Sequence, residues 1–143
     1  MIQDFKQDFF EQGLAKARSG DRYRAVQAFS CAIAANLNHA EAYYQRGLVL
    51  FDLGDRQGAI ADYDQAISLQ PHAVNVYMAR SMTRLAIADI TGAQADIAQV
   101  LKLNPQSAIA YQLLGLIYKQ QNQIEKAIAV LKTSRQLVFR TAR

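Results

Sequence analysis

The side chains able to do covalent or metal chemistry are few and scattered. His39 and His72 fall between helical patterns, and neither has a Cys, Asp or Glu partner at the local spacing of a metal site or a catalytic triad. Cys31 is the single cysteine, so it makes no internal disulfide, and its place beside Ala32 in an apolar helical pattern predicts a buried, inert thiol. Asp62 and Asp64 stand two places apart, which on a helix points them in different directions rather than into one acid–base pair. Gly54-Asp55-Arg56-Gln57-Gly58 lacks the Lys-Ser/Thr ending of a phosphate loop and follows a helical pattern, not a strand. The expectation is a protein without catalytic residues, metal or cofactor.

What recurs instead is packing chemistry. From Ala40 to Leu53, Tyr43, Gly47 and Leu50 share one helical face; Ala59, Tyr63, Ala66 and Ile67 repeat the spacing after Leu53-Gly54-Asp55, which reads as a helix stop followed by a start. Two antiparallel helices result. Pro71 cannot continue the second and biases Gln70 away from helical dihedrals, so the unit ends there. The small residues Gly47, Ala59 and Ala66 allow close helix approach, with Tyr43 and Tyr63 filling the space beside them.

Shifting the frame by 34 residues superposes Phe9, Tyr43, Tyr77 and Tyr111, then Gly13, Gly47, Ser81 and Gly115, then Ala25, Ala59, Ala93 and Ala127, with no insertion. Gly20, Gly54, Ala88 and Asn122 take the turn, and Phe29, Tyr63, Ile97 and Leu131 the large apolar place late in each second helix. Pro71 and Pro105 close two units; Leu37 and Phe139 stand where proline would be. The pattern resembles the tetratricopeptide repeat family, whose repeat has this period and order of aromatic, glycine, alanine and proline. Ser81 for glycine, Lys16 and Arg84 for tyrosine and Ser134 for alanine depart from it. The resemblance implies an all-α fold: an α-solenoid of four helix-turn-helix repeats, approximately 6–39, 40–73, 74–107 and 108–141, forming a right-handed superhelix with a concave groove.

Composition agrees with one domain over 1–143. The chain is 51% hydrophobic with seven glycines and two prolines, which leaves little room for linkers. No apolar run approaches the roughly 18 residues that span a bilayer, and Met1-Ile2-Gln3-Asp4-Phe5 lacks the basic start and apolar centre of a secretory signal, so a cytoplasmic protein is expected. The net charge of +4 is C-terminal: residues 1–118 hold 10 Lys+Arg against 11 Asp+Glu, and residues 119–143 hold 6 against 1. Lys119, Lys126, Lys132, Arg135, Arg140 and Arg143 suit a helix dipole and solvation, or alternatively a nucleic acid or acidic partner.

In such a superhelix the first helices line the concave side. The stripe one position beyond their core face reads Phe10, Leu14 and Ala17; Tyr44, Leu48 and Phe51; Met78, Met82 and Leu85; Gln112, Leu116 and Lys119. The middle members Leu48 and Met82 are expected to pack between first helices. The outer ones should form an apolar stripe on the order of 300 to 600 Å², the size of a binding surface. Some members of the family clamp a chaperone's C-terminal carboxylate with Lys, Arg and Asn, whereas Phe10, Leu14, Gln45, Met78 and Met82 stand here. The stripe therefore suits a hydrophobic segment of another protein, bound through Phe10, Leu14, Tyr44, Leu48, Phe51, Met78, Met82 and Leu85.

Two further expectations come from comparing the copies. Arg46 with Asp62 and Arg80 with Asp96 should form ion pairs inside units, because arginine and aspartate vanish together where Gln12 stands with Ala28 and Leu114 with Val130. The last helix carries Ile128, Val130, Leu131, Leu137, Val138 and Phe139, more than one face can hide. Leu131, Leu137, Val138 and Phe139 are therefore expected to self-associate, most simply by two-fold pairing of fourth repeats, with a partner protein or an exposed patch as the alternatives.

Overall fold

A computed structural model describes residues 2–142, with side chains from Asp8 onward; Met1 and Arg143 lie outside it. Eight helices follow one another: α1 (Ile2–Arg18), α2 (Arg22–Ala35), α3 (Ala40–Asp52), α4 (Arg56–Leu69), α5 (Val74–Ala86), α6 (Ile90–Leu103), α7 (Ala108–Gln120) and α8 (Ile124–Thr141). Each packs on the next, which makes four antiparallel pairs in a solenoid, with no strand among the described residues.

The turn inside each pair is one device used four times. Gly20, Gly54, Ala88 and Asn122 all take left-handed backbone, at φ 82°, 88°, 62° and 58°. Glycine does this freely and asparagine tolerably, while Ala88 carries strain of about 1–2 kcal/mol. The next residue caps the second helix. Asp21, Asp55 and Asp89 accept from the backbone N–H three places on, whereas Gln123 makes no such bond. His39 and Ser107 cap α3 and α7 in the same way, with His39 Nδ1 accepting from Ala42 N at 3.2 Å. The loop histidine is thus a structural cap.

The space inside each pair is closed by a large side chain laid over a small one. A Cβ on Gly13 would stand 2.5 Å from Phe29, on Gly47 2.6 Å from Tyr63, and on Gly115 2.6 Å from Leu131. In the third pair Ile97 replaces the ring, and there a serine fits: Ser81 is fully buried, its Oγ donating to Met78 O at 2.7 Å. Burial of Phe29, Tyr63 and Ile97 contributes about 1.5–3 kcal/mol each.

A polar ladder crosses this core. Arg46 donates from Nε and Nη2 to the two carboxylate oxygens of Asp62, at 2.8 and 2.7 Å, and from Nη1 to Ser30 Oγ at 3.1 Å. One repeat later, Arg80 binds Asp96 in the same forked way and reaches Asp64 at 2.6 Å, and Arg84 adds a bond to Asp96 at 2.8 Å. Both expected pairs are present, and each arginine also stitches its repeat to the preceding one. Asp62 and Asp64 do diverge, one to its own repeat's arginine and one to the next. Leu114 replaces the arginine in the last repeat, so the α6–α7 seam has no such stitch.

One expectation fails. Cys31 is exposed beside Phe9, Gln27 and Ala28, and Gln65, at the equivalent place of α4, is exposed as well.

Candidate peptide-binding groove

The first helices adjoin one another, α3 touching both α1 and α5, and this row forms the inner side of the solenoid. Between α3 and α5 lies a cleft of about 300 Å³, lined by Tyr44, Leu48 and Phe51 from α3, Asn75, Met78, Ala79, Met82 and Thr83 from α5, and Tyr63 from α4. No lining residue is charged. Tyr63 reaches the floor because Gly47 offers nothing in its way, and its ring stands 6.2 Å from that of Tyr44. A hollow of about 500 Å³ at the α7–α8 turn is larger, but it is lined only by Asn122 to Lys126, one exposed stretch that no second helix closes.

Burial sets the protonation of the cleft's two phenols. Loss of water pushes Tyr63 up to about 12, opposed by the nearby Thr83 hydroxyl. Burial also raises Tyr44, opposed by Asn75. Both are neutral donors at ordinary pH. The cleft therefore offers aromatic, thioether and methyl surface with an amide and a hydroxyl at its edge, the chemistry of shape recognition rather than charge recognition.

Of the eight groove residues expected from sequence, the cleft gathers Tyr44, Leu48, Phe51, Met78 and Met82. Phe10, Leu14 and Leu85 do not join it. Phe10 packs on Phe29 and His39, at ring separations of 5.8 and 4.7 Å; Leu14 joins the same first-repeat core, and Leu85 the core shared by the third and fourth repeats. Met82 is also a correction, since it is 51% exposed rather than packed between first helices, as is Leu116 at the equivalent place. Sequence reasoning missed Tyr63, Asn75, Ala79 and Thr83; the pairing of Tyr63 with the side-chain-free Gly47 was the signal that could have placed the ring. Gln45, at a clamp position, is bound to Glu41 at 3.0 Å.

On α8, Leu131, Val138 and Phe139 are exposed, as are Ile124 and Ile128, while Leu137 is half-buried. The basic residues Lys119, Lys126, Lys132, Arg135 and Arg140 are all exposed there or just before it; Arg143 lies outside the described residues. Among the described residues no cluster of ligands could hold a metal ion, and no helix is long and apolar enough to cross a membrane.

Two tetratricopeptide repeat family models match the chain, over residues 40–73 and 97–129. The solenoid superposes on MamA with a TM-score of 0.93, at 20% identity over 96% of this chain and 80% of that one. This chain is a tetratricopeptide repeat protein. The repeat protein also superposes on YrrB, described as a TPR protein with an unusual peptide-binding site, with a TM-score of 0.83 at 20% identity over 92% of this chain and 68% of YrrB. The first TPR of Spaghetti (RPAP3), bound to the HSP90 peptide SRMEEVD, gives 0.72 at 20% identity over 90% and 94% of the two chains. No curated protein sequence matches it significantly.

Proposed function

We propose that this tetratricopeptide repeat protein is a non-enzymatic scaffold whose four repeats act as one domain. Its concave face holds an apolar segment of another protein, an extended peptide or the apolar side of an amphipathic helix. The observation that carries the reading is the uncharged cleft between α3 and α5, where Tyr44, Phe51, Met78 and Met82 surround a volume suited to large apolar side chains. Phe10, Leu14 and Leu85, partly buried against the core, serve this reading as packing residues outside the cleft rather than as contacts. The peptide-bound state of RPAP3 and the peptide-binding site of YrrB support a protein or peptide as the ligand. The absence of cationic side chains from the cleft favours an apolar segment over a carboxylate-terminated acidic one.

Selection of a displayed random-peptide library against the immobilised protein tests this. Enriched peptides should share a large apolar residue, lose binding to a Tyr44→Ala, Met78→Ala variant, and bind almost equally at low and high salt. Acidic or nucleic-acid-like ligands whose affinity falls steeply with salt would place the site on the basic last repeat instead.

A further inference from the structure

The two ends of the solenoid are built to meet each other. In the α2–α3 seam Ile33 and Ala42 are buried in one cluster; in the next seam Ile67 packs with Val76, and in the last Leu101 with Ala110. Counting on by the same step, α8 presents Arg135 where Ile33, Ile67 and Leu101 stand, and α1 presents Asp8 where Ala42, Val76 and Ala110 stand. Each open end thus replaces an apolar seam residue with an exposed charge, basic on one end and acidic on the other. The neighbouring charges match: exposed Lys132 and Arg140 accompany Arg135, and exposed Glu11 accompanies Asp8.

Helix length carries the second observation. The first helices α3, α5 and α7 have 13 residues and the second helices α2, α4 and α6 have 14, but α1 has 17 and α8 has 18. The four extra residues of α8, Val138 to Thr141, lie at its C-terminus, and those of α1, Ile2 to Phe5, at its N-terminus. In an antiparallel seam these are the same end, where internal repeats have a loop. Two extensions of equal length would lie side by side.

We propose that copies of this chain associate head to tail, α8 of one copy seated on α1 of the next in the register of the internal seams, with Arg135 facing Asp8. Two-fold pairing of fourth repeats is disfavoured, because it sets Lys132 and Arg135 against their own copies. Among the described side chains of α1, Lys16 and Arg18 are the unfavourable charges, while Arg24 on α2 is held by Asp21 at 3.5 Å. A heterologous contact leaves a free end after each addition unless several copies close a ring, so association continues beyond two and extends the concave groove from copy to copy.

Sedimentation velocity of the 143-residue chain over micromolar to millimolar concentrations tests this. The mass should rise with concentration past that of a dimer. Asp8→Arg and Arg135→Asp, both surface changes, should each weaken association by at least about tenfold. An equimolar mixture of the two variants should restore growth, since each end then meets its opposite. A mass that never exceeds the monomer would overturn the proposal, as would one that stops at the dimer, or single variants that associate like the parent chain.

Discussion

Gly47 and Tyr63 lie so close that a Cβ on the glycine would stand 2.6 Å from Cε1 of the ring. Tyr63 is 1% exposed and packed in the core beneath the cleft, so moving the ring away would disturb the cleft floor and the core around it. Gly47→Ala should therefore destabilise the protein by about 1–3 kcal/mol through overpacking, despite alanine's higher helix propensity. Ser81→Ala, which adds no volume beside Ile97, should cost only about 0.5–1.5 kcal/mol for its lost hydrogen bond. Urea midpoints of the two variants check the contrast.

That pairing also shows how much was legible in the sequence. The fold was readable because one contact, a large side chain over a small one sixteen residues earlier, recurs at Gly13, Gly47 and Gly115, and because Arg46 and Arg80 come and go with Asp62 and Asp96. Such contacts are set inside one helical pair, where sequence spacing fixes geometry. The groove was read less well because its shape depends on how far successive first helices stand apart. Met82 projects into the cleft while Phe10 is drawn down onto Phe29 and His39, although both belong to the same stripe. Cys31 shows a different limit: being next to Ala32 in sequence does not put it on the same helical face, and while Ala32 is fully buried, Cys31 faces solvent, as does Gln65 one repeat later.

Asp96 accepts from both Arg80 and Arg84 and is 2% exposed. Removing it leaves Arg80 with Asp64 alone and Arg84 with only Gly92 O and the more distant Asp89, in a partly buried site. Asp96→Ala should cost about 3–5 kcal/mol, toward the lower end because both arginines keep some solvent. Asp64 meets Arg80 with half of its side chain in water, so Asp64→Ala should cost about 0–1 kcal/mol. Thermal or urea unfolding of the two variants measures the difference, and the two values should not be alike.

Alkaline pH should loosen the fold through Tyr63. Its folded-state value, about 12, lies above the unfolded value of 10.0, so the folded protein holds the phenolic proton where the unfolded chain releases it. The resulting stability is complete below pH 10 and is lost as pH rises toward 12, with a slope of at most about 1.4 kcal/mol per pH unit from this group. Tyr63→Phe should flatten that part of the stability profile while leaving it unchanged at neutral pH apart from the lost hydroxyl contact with Thr83. Unfolding free energies taken between pH 9 and 12 on both proteins provide the check, the window following from the same two values.

The cleft itself can be watched directly, because two of the chain's three methionines, Met78 and Met82, line it and Met1 serves as a reference. With the methionine methyl groups carbon-13 labelled, a peptide enriched from the displayed library is titrated in while methyl spectra are recorded. The Met78 and Met82 signals should move together and saturate at one equivalent, with the Met1 signal unchanged. A peptide that binds at the same stoichiometry while leaving both signals in place would contradict recognition in the α3–α5 cleft.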